Sequence, residues 1–219
     1  MAPESSSAAI RSPLPLRILR RVFVTFEGID GSGKTTQAEL LAEALRADGR
    51  EVVSTREPGG TELGERVRAL VLDGPDLSPW AEAALFAAAR AQLVEEVIAP
   101  ALRRGGDVVC DRYLDSSLAY QGIARGLGVE QVLELSVGVT GGLFPDRTFV
   151  VLLDPAEAAR RRVGDPDRIE RESLSFHEDV DRAYRDVAAL FPERIVLLDG
   201  ARPAEELAKE VRDELRALA

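Results

Sequence analysis

The stretch from Val22 to Thr36, VFVTFEGIDGSGKTT, limits what this chain can fold into more than any other. Val22, Phe23, Val24, Thr25 and Phe26 form a β-branched and aromatic run of the kind that fills a buried parallel strand. Gly28 to Thr35 then fit G-x-x-x-x-G-K-[ST] at every fixed position, and the spacing predicts a helix from Thr36 to Ala47. Strand, glycine loop and helix in that order make a phosphate site. Gly28, Gly31 and Gly33 let successive N–H groups turn inward around an anion. The helix offers its unpaired N–H groups and positive dipole end to the same charge. In that setting Ser32 and Thr36 join the cradle and Lys34 reaches the β- and γ-phosphates of a nucleoside triphosphate. The Thr35 hydroxyl is placed to ligate Mg2+.

With 219 residues the chain suffices for one sizeable core. We expect a single domain over residues 21–219. Residues 1–20 are rich in Ser, Pro and Ala without lasting periodicity, and read as a flexible extension. The formal net charge of −10 argues against nucleic acid as a partner. An anionic ligand must therefore be held by a local cluster of cations. The single cysteine, Cys110, excludes an intrachain disulfide framework and fits a reducing compartment. No apolar run approaches the roughly 20 residues of a membrane span. The expected location is the cytoplasm, with no membrane partner.

Further along, EVVST at Glu51–Thr55, DVVC at Asp107–Cys110, TFVVLL at Thr148–Leu153 and RIVLL at Arg194–Leu198 are short apolar runs. Between them lie helical patterns over 61–72, from Ser78 or Pro79 to about Arg104 with a break at Pro100, over 129–139 and over 173–190, and one more closes the chain over 203–218. Alternation of this kind predicts an α/β fold: a doubly wound, five-stranded parallel sheet flanked by helices. Ligands of such sheets bind beyond the carboxyl ends of the strands. The residues found there are Asp30 and Lys34 after the first run, Arg56, Glu57 and Pro58 after the second, and Asp111 and Arg112 after the third. Asp111 is a candidate to organise Mg2+ and its waters beside Thr35. His177, the only histidine, has no nucleophile near it in sequence and reads as structural; Cys110 reads as strand filler.

The runs REPGG at Arg56, FAAAR at Phe86–Arg90, DRYLDSSLAYQG at Asp111–Gly122 and DRIE at Asp167 occur in the order and spacing of the bacterial thymidylate kinases, which the chain resembles from Arg21 onward. The resemblance implies a P-loop nucleoside-monophosphate kinase fold with a short lid at about 160–172. It also implies ATP and Mg2+ as cofactors, dTMP as acceptor, and a homodimer. For the acceptor it implies Phe86 stacked on thymine, Arg90 donating to a base carbonyl, and Ser117 and Gln121 at the base. Arg68 and Arg112 would stand around the acceptor phosphate, Asp30 at the 3′-hydroxyl and Tyr120 against the sugar, with Glu57 and Pro58 completing the substrate positions. Because Ile29, Asp30, Gly31 and Ser32 leave the phosphate loop without an arginine, the catalytic cation must come from the lid. The candidates are Arg160, Arg161, Arg162 and Arg168, with Arg161 or Arg162 favoured at its entry and Arg168 at its exit, and Arg112 as a further source of charge. The rivals are a kinase of the same fold acting on another monophosphate, and a nucleotide-driven switch. The chain contains no Asn, so the guanine-reading N-K-x-D motif of GTP switches is absent.

Overall fold

Each apolar run becomes a strand, and all five run parallel. In the computed structural model, which describes residues 21–218, β1 (Phe23–Glu27), β2 (Val52–Arg56), β3 (Asp107–Asp111), β4 (Arg147–Leu152) and β5 (Ile195–Asp199) form one sheet in the order β2-β3-β1-β4-β5. The extension expected over residues 1–20 lies outside the described residues. Alternate side chains of each strand enter opposite cores. Val24, Phe26, Val109, Phe149 and Val151 pack with Leu41, Leu45, Leu207, Val211 and Leu215 from α1 (Lys34–Ala47) and α9 (Ala204–Arg216). Phe23, Val108, Cys110 and Val150 face the other way, toward α3 (Pro79–Leu93) and α8 (Leu174–Leu190). The sheet is covered on both faces, as the near-continuous apolar runs require.

Helix starts follow side-chain caps. Thr61 accepts from Gly64 N–H ahead of α2 (Glu62–Asp73), Ser78 from Ala81 N–H ahead of α3, and Ser173 from Phe176 N–H ahead of α8. The long helix expected to break at Pro100 instead passes it. Proline lacks the N–H that would bond Glu96, and the Ala99 N–H reaches back five residues to the Val94 carbonyl. The result is a π-helical turn over Val94–Ile98 between α3 and α4 (Ala99–Arg103), a wider coil rather than a break. A second π-helical stretch, Leu118–Ala124, continues α5 (Leu114–Ser117) and precedes α6 (Val129–Thr140). After β4 comes α7 (Pro155–Arg161), capped by Asp154, and then irregular chain up to α8.

The register decides where the site lies. Phe26 pairs with Asp111, so β1 and β3 end side by side at the centre of the sheet. The phosphate loop therefore leaves β1 directly next to Asp111 and Arg112. Among the described residues no helix is long and apolar enough to cross a membrane.

Candidate active site

The loop from Gly28 to Gly33 can be closed only by residues without a side chain at two of its points. Gly28 has φ 133° and Gly31 φ 89°. A Cβ at Gly31 would lie 2.2 Å from the Ala158 carbonyl oxygen of α7, and one at Gly28 2.4 Å from the Val151 carbonyl oxygen. The loop is thus pressed between β4 and α7, and α1 begins as it ends. The first-turn N–H groups of Lys34, Thr35 and Thr36 make no hydrogen bond within the described residues and are left for an anion.

Charges converge on Asp30. Lys34 Nζ donates to Asp30 Oδ1 at 2.6 Å, and Arg112 Nη2 donates to the same oxygen at 2.7 Å. Burial pushes this carboxyl up, but the charges of Arg112 and Lys34 and their hydrogen bonds outweigh it and hold the pKa far below the ordinary range. Arg112, at φ 70°, also donates to the Gly28 carbonyl at 2.8 Å and so ties the end of β3 to the loop. Thr35 Oγ1 donates to Asp111 Oδ2 at 2.5 Å, whereas Asp111 Oδ1 is buried with no partner.

Two clefts flank this cluster. One, of about 900 Å³, is lined by Gly31, Ser32, Gly33, Lys34, Thr35 and Thr36 together with Gln37, Arg161 and the β5–α9 connection at Gly200, Arg202 and Ala204. Gly28, expected in the cradle, closes the loop from behind instead. The residues of the β5–α9 connection were missing from the sequence expectation, although the strand-end rule applied to the last apolar run points to them. The other cleft, of about 520 Å³, is lined by Asp30, Glu57, Pro58, Arg68, Phe86, Arg112, Ser117, Tyr120 and Gln121, all expected from sequence, and also by Leu72, Ser116, Asp167 and Ile169.

Arg90 is the expected substrate residue that does not line it. With 1% exposure it stands one layer behind the wall, donating to Glu57 Oε2 at 2.9 Å, Ser117 Oγ at 2.8 Å, Ser136 Oγ at 3.2 Å and the Tyr113 carbonyl at 3.3 Å. These four bonds occupy four of its five N–H groups. Burial pushes the Glu57 carboxyl up to about 7 against the pull of Arg90. Glu27, which ends β1, is another buried acid without a place in the sequence expectation. It accepts from Tyr113 N–H, Ser116 Oγ and Tyr184 OH, and the last two also contact Arg112. The one sequence signal for it is a charged residue closing an otherwise apolar run.

The four arginines around the expected lid do not converge. Arg160 and Arg161 both pair with Glu157, Arg161 also reaches the Gly200 carbonyl at 3.0 Å on the wall of the larger cleft, and Arg162 reaches the Glu170 carbonyl at 3.3 Å. Arg168 is not brought to the phosphate loop. It is buried against the other side, with Nε on the Val71 carbonyl at 2.8 Å and Nη2 on Glu82 at 2.6 Å. His177 is buried, and burial lowers its pKa, which suits a structural residue. Between Arg162 and Ser173 the chain is irregular, and Val163 is almost wholly exposed.

A family model described as thymidylate kinase matches residues 26–211. The chain is 50% identical to the thymidylate kinase of Deinococcus radiodurans over 193 residues, covering 87% of this chain and 94% of that one. It is 48% identical to the thymidylate kinase of Caldanaerobacter subterraneus over 195 residues, with 88% and 94% covered. The crystal structure of thymidylate kinase from Ehrlichia chaffeensis superposes with a TM-score of 0.75 at 34% identity, covering 90% of this chain and 99% of that one.

Proposed function

Because this chain belongs to the thymidylate kinase family, and so phosphorylates dTMP to dTDP with ATP, we propose that the larger cleft takes ATP, the smaller one takes dTMP, and the phosphoryl group passes between them beside Lys34 and Asp30. The observation that carries this division is the bridge itself: Lys34 lines one cleft, Asp30 lines the other, and their side chains touch. A ligand held in each cleft meets the other at that point.

The N–H groups at the start of α1 and the Lys34 ammonium would hold the β- and γ-phosphates. Arg161 stands at the mouth of the same cleft and would supply the lid cation; Arg162 and Arg168 would serve the lid by anchoring its two ends. The site fits Mg2+ by its donors: a hydroxyl and a carboxylate with one buried oxygen unpaired, both hard oxygen ligands. Thr35 and Asp111 would hold the ion, which when bound supplies neutralisation of phosphate charge. Arg68 and Arg112 would fix the acceptor phosphate, a task suited to guanidinium forks. Asp30 would accept from the 3′-hydroxyl, Phe86 would stack on thymine, Tyr120 would back the sugar, and Arg90, behind the wall, would hold Glu57 and Ser117 in place at the base. The acceptor is already an anion, so the reaction asks for positioning and charge neutralisation and for no protein base. Residues 21–219 would act as one domain with a lid at about 160–172, closing to exclude water.

We further infer a cytoplasmic homodimer. Leu63 and Leu70, seven residues apart on α2, and Trp80 at the start of α3 are exposed apolar side chains on adjacent helices, which supports association through that face. Binding measured separately for the two substrates tests the division of clefts. Phe86→Ala is expected to weaken dTMP by about 10-fold or more with ATP affinity unchanged; equal weakening of both would refute it.

A further inference from the structure

Glu82 on α3 has 1% exposure and lines neither cleft. A carboxylate so placed must be matched by donors. Gln121 Nε2 donates to its Oε1 at 2.9 Å and Arg168 Nη2 to its Oε2 at 2.6 Å, while Arg125 approaches both oxygens at 3.4 and 3.5 Å. Burial pushes the carboxyl up, but the hydrogen bonds from Gln121 and Arg168 and the charges of Arg125 and Arg168 outweigh it, and the pKa lies below its ordinary value. Glu82 is therefore ionised near neutral pH and can only accept.

That settles which way a neighbouring amide must point. A glutamine amide has a donor end and an acceptor end of nearly the same shape. Turning Gln121 over would set its carbonyl oxygen against a buried carboxylate, two acceptors face to face between residues of 1% and 2% exposure. Nε2 therefore stays on Glu82. Oε1 makes no hydrogen bond within the described residues and is left for whatever enters the cleft that Gln121 lines.

We propose that Glu82 sets the base selectivity of the acceptor cleft by holding Gln121 with its carbonyl toward the ligand. The proposal rests on the assignment of Gln121 to the base. A fixed carbonyl matches the ring N–H of a 2,4-dioxopyrimidine such as thymine. A 4-aminopyrimidine offers a bare ring nitrogen there, so two lone pairs would face each other, and a buried polar site rejects such a ligand strongly. Glu82 touches no substrate and is a positioning residue. The same carboxylate holds Arg168, so the base reader and the exit of the lid segment share one anchor.

The test uses Glu82→Gln, Gln121→Ala and the double variant, each assayed for kcat and KM with dTMP and dCMP at saturating ATP, alongside a thermal melt. Glu82→Gln frees Gln121 to turn. It is expected to lower the ratio of kcat/KM for dTMP over dCMP by about 10-fold or more, mainly through KM, with the KM for ATP unchanged. Gln121→Ala is expected to lower the ratio similarly, and the double variant to go no further, because Glu82 acts through Gln121. If Glu82→Gln lowers turnover of both nucleotides alike, or its effect adds to that of Gln121→Ala, the carboxylate is a structural support and the proposal is overturned. If Gln121→Ala leaves the ratio unchanged, the base assignment falls and the proposal with it. Should Glu82→Gln fail to fold, Glu82→Asp keeps the charge for Arg168 but draws back from Gln121, and the same loss of selectivity is expected; an unchanged ratio overturns the proposal.

Discussion

Lys34 and Arg112 share one oxygen of Asp30, so loss of the lysine is expected to spare folding while lowering turnover. In Lys34→Ala the carboxylate keeps Arg112, so stability is expected to change by about 1 kcal/mol or less, whereas a preorganised cation lost from the transferring phosphoryl lowers kcat by about 10²- to 10³-fold. Steady-state kinetics beside a thermal melt separates the two; near-normal kcat would remove Lys34 from the reaction. Arg90 behaves differently. The four-residue spacing from Phe86 suggests one face and one job, yet the structure puts the ring in the cleft and the guanidinium beneath it, on Glu57. Spacing along a helix gives direction but not depth, and depth depends on what packs above. Arg90→Ala leaves an acid buried without its partner, at a cost of about 3–5 kcal/mol. The protonated form of Glu57 escapes most of that cost, and its carboxyl already sits at about 7 with Arg90 present. The loss of Tm is therefore expected to be greater at pH 8 than at pH 6, and equal losses at the two pH values would show that Glu57 bears no charge in the pair.

At the level of elements, strand ends were the legible part. Asp111 and Arg112 follow DVVC, and Glu57 and Pro58 follow the second run, because parallel strands deliver their carboxyl ends to one edge whatever the loops do. The π-helical turns were not legible. One follows from Pro100, but whether a proline breaks, kinks or widens a helix depends on the packing around it, here Leu93, Val94 and Ile98 in the core. The irregular segment after α7 was legible as a position and not as a set of contacts. Arg161, at the end of α7, lies on the wall of the larger cleft because Gly31 lets the backbone of α7 rest on the phosphate loop. Arg168 is held away from it by Val71 and Glu82. Arg161→Ala is expected to lower kcat by about 10³-fold or more with little change in dTMP affinity. Arg168→Ala is expected to lower Tm and raise the KM for dTMP more than it lowers kcat. Alanine variants at both positions, assayed at saturating ATP and dTMP, decide the matter; the reverse pattern would place Arg168 on the phosphoryl group in the closed state.

For the molecule as a whole, Glu27 makes a contribution to stability whose pH dependence has a definite sign. Burial and the charge of Asp115 push Glu27 up to about 8 from 4.5, against the pull of Ser116 and Arg112. Between those values the folded state holds a proton that the unfolded chain has released. The contribution of Glu27 to stability is thus fully present below about pH 4.5 and is lost as pH rises toward 8. Glu27→Gln imitates the protonated form and is expected to flatten the fall of Tm from pH 5 to pH 8; parallel slopes for the two proteins would show that Glu27 stays ionised. Fold class was legible at this scale because apolar runs alternating with helices admit little else. Strand order was not, since right-handed crossovers allow several permutations. The observed order has a consequence for the chain as it leaves the ribosome. β1 and β2 are not neighbours, and each pairs with β3, which begins at Asp107. Until that residue has emerged neither early strand has its β3 partner, so both wait as unpaired edges, the state in which nascent proteins most need a chaperone.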